Sequence, residues 1–422
     1  MMEKDLTEIG KDARLAARQL LLFSNEKKDQ FLETLALSLW SEREKILEAN
    51  SADVLKAREK MFSEALIDRL LLTEKRLQGM MADIRQLIEL PDPVGKVLEE
   101  KTLSNGIRAK RQRVPLGVLA VIYEARPNVT VDITALALKS GNAVLLRGGK
   151  ETRLTNLTLV EVIHQVLVKF ELPTTAVQFI DDPDRRYVNK LVKMDNYVDL
   201  LIPRGGNRLQ EFCKQEATMP VMTGGIGICH LFVDASADLV RVVDVVENAK
   251  VQRPSVCNAL DTLLVHQNVA NTILPMLYER LKRYPVEMKL DEYSAAVLGI
   301  QPELGLVAAV EGDYDQEWLA LILGIKVVED VDEAIHHIWQ HSTFHSDGIL
   351  SETKENINKF VRSVDSAAVY VNASTRFTDG AQLGLGGEVA VSTQKLHARG
   401  PVGLEALTSY KWILEGDYTV RE

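Results

Sequence analysis

A cysteine in a polar loop is the first residue equipped for covalent chemistry. Cys257 stands in Gln252-Arg253-Pro254-Ser255-Val256-Cys257-Asn258, between a helix-like and a strand-like stretch. Arg253, four residues back, can lower a thiol pKa or neutralise an anionic leaving group. On position alone, a nucleophile and a structural thiol both remain open. Cys213 and Cys229 fall in helical and strand-like contexts that suit packing.

Glycine pairs are the second signal. Arg147-Gly148-Gly149-Lys150 and Arg204-Gly205-Gly206-Asn207 each follow an apolar strand-like run, and Gly224-Gly225 and Gly386-Gly387 come later. Paired glycines let backbone N–H groups approach phosphate, and an adjoining Arg or Lys adds charge. None forms a G-x-G-x-x-G or a Walker motif, so each reads equally as a tight turn. Two such turns after successive strands favour a nucleotide cofactor. His336, His337, His341 and His345 crowd one stretch, but no His-Glu-x-x-His motif occurs. A polar loop lining a cleft is expected there, and no metal. Arg376, Lys395, His397 and Arg399 gather cations beside glycine-rich turns, which suits an anionic ligand.

The scaffold must hold these residues in place. The chain has 422 residues, 46% hydrophobic and 26% charged, with a net charge of −10. That is enough for two or three domains with a large core. The negative balance opposes non-specific binding to nucleic acid or anionic membranes. Three cysteines, with no Cys-x-x-Cys pair, point to a reducing, cytosolic setting. The first residues lack an apolar signal region, and no run is long enough to span a membrane.

Residues 10–90 read as helices, with Phe31, Leu32, Leu35, Leu39 and then Ile67, Leu70, Leu71 forming buried stripes. The run stops at Leu90-Pro91-Asp92-Pro93. Beyond it, short apolar strands at 118–122, 143–146, 177–180 and 198–202 alternate with helices at 131–139, 156–170 and 188–194. The alternation resumes with strands at 230–233, 262–265, 325–328 and 369–371 and helices at 237–250 and 269–284. Such a pattern predicts parallel sheets covered on both faces, an α/β fold. Residues 408–414 read as a C-terminal strand arm.

Three separated motifs together carry a family resemblance. The stretch 114–129, ending Tyr123-Glu124-Ala125-Arg126-Pro127-Asn128-Val129, resembles the gamma-glutamyl phosphate reductases, a branch of the aldehyde dehydrogenase superfamily. So do Gln252-Arg253-Pro254-Ser255-Val256-Cys257-Asn258-Ala259 and 392–404, from Ser392 through Lys395, His397 and Arg399 to Leu404. The likeness runs from Ala13-Arg14 to Tyr410-Lys411-Trp412.

The resemblance implies an aldehyde-dehydrogenase-like fold: a Rossmann-like cofactor domain (1–105 and 119–229), an α/β catalytic domain (230–368) and a β-arm for oligomerisation (106–118 and 383–422). It implies NADPH-dependent reduction of L-glutamyl 5-phosphate to the semialdehyde in proline biosynthesis, with Cys257 as nucleophile and Asn128 as oxyanion donor. Cofactor contacts then fall on Arg147, Gly148, Gly149, Lys150, Arg204, Gly205, Gly206, Gly225 and Glu317. Substrate contacts fall on Arg126, Arg253, Arg376, His397 and Arg399. A homo-oligomer, dimer or tetramer, is implied, with glutamate 5-kinase a candidate partner. The rivals are another acylating aldehyde dehydrogenase and a non-catalytic scaffold; the latter would need neither Cys257 nor Asn128.

Two departures from the superfamily pattern carry meaning. Met222 stands where aldehyde-oxidising relatives carry a glutamate that activates water. Arg147-Gly148-Gly149-Lys150 replaces the Lys-Pro-Ala-Glu of NAD-preferring relatives, and cations there favour the 2′-phosphate of NADP(H).

Overall fold

The computed structural model describes residues 5–182 and 184–421. Five helices open the chain: α1 (Leu6–Leu20), α2 (Asn25–Ser41), α3 (Arg43–Glu59), α4 (Glu64–Leu70) and α5 (Glu74–Glu89). Asp5, Ser24, Ser63 and Thr73 cap α1, α2, α4 and α5 by accepting backbone N–H bonds. Phe31, Leu32, Leu35 and Leu39 are buried as expected. Leu71 is not part of the stripe: α4 stops one residue earlier, and Leu71 is exposed.

Two strands follow, β1 (Val97–Thr102) and β2 (Arg108–Pro115), and then the βα alternation of β3 (Val118–Tyr123), α6 (Asn128–Lys139), β4 (Ala143–Arg147), α7 (Arg153–Lys169), β5 (Val177–Phe179), α8 (Arg185–Leu191), β6 (Leu200–Arg204) and α9 (Asn207–Glu216). The later half contains β7 (Cys229–Val233), α10 (Leu239–Val251), β8 (Leu260–His266), α11 (Gln267–Leu281), β9 (Glu287–Leu290), α12 (Glu292–Leu298), β10 (Leu306–Ala308), β11 (Ile322–Val328), α13 (Val331–His341), β12 (Ser346–Leu350), α14 (Lys354–Ser363) and β13 (Ala368–Val371). Short strands β14 (Val391–Ser392) and β15 (Gly400–Pro401) precede the long β16 (Thr408–Glu415).

The chain divides into two compact units. The first comprises residues up to Gly224, Gly384–Ala390 and everything from Pro401; the second comprises Gly225–Leu383 and Val391–Gly400. The break at 224/225 lies five residues before the 229/230 boundary read from sequence. In the first unit a parallel sheet runs in the order β5-β4-β3-β6. Every residue of β3 and β4 is buried, which explains their unbroken apolar runs. A separate antiparallel sheet, β1-β2-β16, joins residues 108–115 to 408–415.

The second unit holds a seven-stranded parallel sheet, β10-β9-β11-β8-β7-β12-β13. Successive side chains of its strands point to opposite faces. Leu231 and Leu263 therefore join one core with Val246 and Ile273, while Phe232 and Leu264 join the other with Ile335 and Phe360.

Candidate active site

Cys257 lies in the turn between α10 and β8, half-buried. Alpha/beta enzymes usually place ligands at the carboxyl ends of parallel strands. Here the chemistry-bearing turn precedes its strand instead. Gly225–Gly227 precedes β7 and Glu317 precedes β11, so these segments too enter the sheet at its amino edge.

Backbone packing sets the cysteine turn. A Cβ built on Gly227 would sit 1.6 Å from the Cys257 carbonyl oxygen, so only glycine fits beneath the turn. The Gly227 N–H donates to Glu317 Oε1 at 3.0 Å, and the Cys229 thiol donates to the Cys257 carbonyl at 3.2 Å. Burial raises the Glu317 carboxyl above its ordinary value, and the Gly227 bond works against that.

Below this layer, Asp261 ties three elements together. It accepts from the backbone N–H of Cys229 at 3.2 Å and of Trp318, next to Glu317, at 3.1 Å. Lys250 at the end of α10 approaches it at 3.9 Å and donates to Leu260 O at 2.8 Å. Burial pushes Asp261 up to about 7 and draws Lys250 down to about 8.

The segment 375–378 is laced to the cysteine turn. Asn258 Nδ2 donates to the carbonyls of Arg376 (3.3 Å) and Thr378 (2.9 Å), and Thr375 Oγ1 donates to Asn258 O at 2.6 Å. Arg376 Nε also reaches Gln252 Oε1 at 3.0 Å. The Arg376 guanidinium is lowered first by burial and then by Arg253, while Asp379 and the Cys257 side chain raise it. Arg253, Arg376 and Cys257 therefore share one electrostatic neighbourhood, where two cations favour a thiolate and an anionic substrate.

Other residues singled out in the sequence are placed differently. Arg399 donates to Asp365 Oδ1 at 2.6 Å and Lys395 bonds the same carboxylate, which these two cations pull down to about 2. Two of the late cations are thus already neutralised within the chain. His397 is exposed. The histidine-rich stretch is not a polar loop: His336, His337 and His341 lie on α13, and His337 and His345 are buried. His345 leads straight into β12, whose Asp347 accepts from His230 Nδ1 at 2.9 Å and from Ser342 Oγ at 2.7 Å.

In the first unit, the loop after β3 turns at Ala125, a non-glycine residue at φ 48°. Such backbone is costly and persists where neighbours enforce it. The Glu151 carboxylate does so, accepting the Ala125 N–H at 2.8 Å. The turn presents exposed Arg126 and starts α6 at Asn128. Asn128 Nδ2 donates to Asp132 Oδ2 at 2.8 Å.

After β4, Cβ atoms at Gly148 and Gly149 would meet Asn156 Nδ2 at 2.3 Å and Glu151 Oε1 at 1.9 Å. Arg147 is buried, bonded to the Gly148 carbonyl with its Nε unpartnered, and Lys150 is exposed. Arg147, Lys150, Phe179 and Asp182 line one small concavity. Two glycines followed by an exposed lysine suit the approach of a phosphate-bearing cofactor, although Glu151 packs against Gly149 and Asp181 and Asp182 share the concavity. In the second glycine turn the Gly206 N–H donates to the exposed Glu124 Oε2 at 3.1 Å. Met222 is fully buried.

Comparisons with known proteins agree on one family. Residues 3–299 match the aldehyde dehydrogenase family. A gamma-glutamyl phosphate reductase of Yersinia pestis is 54% identical over 416 residues, covering 99% of each chain. The crystal structure of a gamma-glutamyl phosphate reductase from Thermotoga maritima has TM-score 0.95 at 46% identity, covering 99% of this chain and 100% of that one. An acetylating aldehyde dehydrogenase of Geobacillus thermoglucosidasius, at 16% identity and TM-score 0.71 with full coverage of both chains, shares the fold. Sequence, topology and the cysteine turn converge: the chain belongs to the aldehyde dehydrogenase family and, within it, to the gamma-glutamyl phosphate reductases.

Proposed function

We propose that the chain reduces L-glutamyl 5-phosphate to L-glutamate 5-semialdehyde with NADPH, releasing phosphate, as a step of proline biosynthesis. The observation that carries this reading is Cys257, half-buried on a turn laid against Gly227 and flanked by Arg253 and Arg376. The likeness to named reductases over the whole chain supports the substrate.

The Cys257 thiolate adds to the acyl carbon, the carbon–oxygen bond to phosphate breaks, and a thioester forms. Arg253 and Arg376 stabilise the departing phosphate, which takes a proton from solvent and leaves as the dianion. The oxyanion of each tetrahedral state takes bonds from the Asn128 amide and the Cys257 N–H. Addition of hydride to the thioester carbon gives a hemithioacetal; its carbon–sulfur bond breaks, returning the thiolate and freeing the aldehyde. A nicotinamide cofactor, when bound, supplies that hydride. Gly148, Gly149 and exposed Lys150 hold its adenosine end, with buried Arg147 behind them, and Glu317 and Gly225 its nicotinamide end. Met222 cannot accept a proton, so no base at that position primes water to hydrolyse the thioester.

The same reading gives a cytoplasmic homo-oligomer, dimer or tetramer, assembled through the arm strands. The kinase that makes the labile acyl phosphate is its natural neighbour. No described helix is long and apolar enough to cross a membrane. The test runs the reaction backwards: NADP⁺ reduction with glutamate 5-semialdehyde should require inorganic phosphate. Equal rates with and without phosphate would overturn the acyl-phosphate reading.

A further inference from the structure

We infer that Asp132 is a positioning residue that selects and holds the donor end of the Asn128 amide. The inference rests on the proposed role of Asn128 as an oxyanion donor. Asn128 is the first residue of α6, and Asp132 lies one turn on, at the i, i+4 spacing that brings side chains together. Nδ2 of Asn128 donates to Oδ2 of Asp132 at 2.8 Å.

An asparagine amide has two ends of nearly equal shape and opposite function. Its terminal torsion is broad and roughly two-fold. Left to itself, it can present either an acceptor oxygen or donor hydrogens. When ionised, above about pH 7, the carboxylate only accepts, so it binds Nδ2 and rejects Oδ1, whereas the protonated carboxyl pairs with either end of the amide. One Nδ2 hydrogen is then spent on Asp132, and the second remains for a developing oxyanion.

The surroundings of Asp132 argue that this bond is not incidental. Its other oxygen, Oδ1, is sealed from solvent and has no hydrogen-bond partner. Burial pushes the carboxyl up to about 7; Asn128 and Arg204 draw it down, and Asp83 pushes it further up. A half-buried carboxylate with one sealed, unpartnered oxygen costs stability that an apolar residue would not. The Asn128 contact is what the site obtains in return.

Double-mutant kinetics test the inference. Asn128→Ala should lower kcat by about a hundred- to a thousandfold with little change in KM. Asp132→Ala should lower kcat by about ten- to a hundredfold, again sparing KM, because a misplaced catalytic group costs rate rather than binding. In the Asn128→Ala background, Asp132→Ala should cost nothing more, since its effect runs through the missing amide. Asp132→Asn keeps the shape and serves if the alanine variant fails to fold; it accepts from one rotamer of Asn128 and donates to the other, so it no longer selects between them and its kcat should also fall. Losses that multiply in the double variant would overturn the positioning role. So would unchanged kcat in both Asp132 variants beside an impaired Asn128→Ala, a result that leaves the Asn128 reading standing. Near-normal kcat in Asn128→Ala would instead remove the donor role itself.

Discussion

Three thiols in one chain face three environments. Burial pushes Cys213 up to about 11 and Cys229 well above its ordinary value, with the charges of Asp261 and Asp347 adding to the latter. Both stay protonated and inert at neutral pH. Cys257 is half-buried and has Arg376 in its field. Iodoacetamide should therefore alkylate Cys257 first and abolish turnover. Cys257→Ala should retain less than a few per cent of activity while still binding cofactor, as fluorescence quenching would report, and Cys213→Ser should stay active. At this scale the sequence proposes a role where a motif names its own chemistry, as around Cys257. It was opaque where a role depends on a partner. Asp132 is an ordinary helical acid until its bond to Asn128 is seen, although the i, i+4 spacing was available. Lys395 and Arg399 looked available until Asp365 was found between them.

Elements set the precision of the site. Gly227 and the cysteine turn meet backbone to backbone, so Gly227→Ala must move one of them. It should reduce kcat by at least about a hundredfold, since a displacement near 1 Å at a nucleophile costs that much; full activity would show that the turn adapts. The proposed reading gives the choice of cofactor to the β4–α7 turn. Arg147 is buried and bonded to the Gly148 carbonyl, whereas Lys150 is exposed, so in that reading Lys150 is the cation to test. Lys150→Glu should shift the kcat/KM ratio toward NADH by at least about tenfold, roughly one charge-assisted bond's worth. Equal losses with both cofactors would make the turn structural. Strands buried on both faces, such as β3 and β4, were readable as apolar runs. In the antiparallel sheet only β16 was readable; β1 (Val-Leu-Glu-Glu-Lys-Thr) and β2 (Arg-Ala-Lys-Arg-Gln-Arg-Val-Pro) were not, since half the residues of each are charged and most are only partly covered. Nor was β12, whose buried Ser346 and Asp347 look like loop residues until their bonds to Thr378, Ser342 and His230 are drawn.

Across the molecule, buried titratable groups couple stability to pH in opposing directions. Burial lowers His345 to about 4 and His337 to about 2. Below pH 6.5 the unfolded chain takes up protons that these histidines refuse when folded. Their contribution is thus complete above pH 6.5 and is lost as pH falls toward those values. Asp132 and Asp261, raised to about 7, act the other way. They favour the folded, protonated form and cost stability as pH rises from 3.8 toward 7. The wild type should therefore show a shallow profile between pH 4 and 6.5. Replacing His337 and His345 together by Phe and Gln should tilt it, raising stability relative to wild type by about 1.4 kcal/mol per histidine for each pH unit of acidification. Urea midpoints across that range would read the difference, and parallel profiles would refute it.

The pairing of β2 with β16 has a consequence for how the chain is made. Residues 108–115 leave the ribosome roughly 290 residues before their second partner at 408–415. At about 5–20 residues per second, one edge of β2 waits roughly 15–60 seconds for its neighbour. An open edge is an invitation to wrong pairing, and charge is a common deterrent. Arg108, Lys110, Arg111 and Arg113 stud that strand, and the acids that answer Arg108, Lys110 and Arg113, namely Glu405 and Glu415, arrive with the late segment. The same cations thus guard the nascent strand from aggregation and later help to seat the strand that completes its sheet.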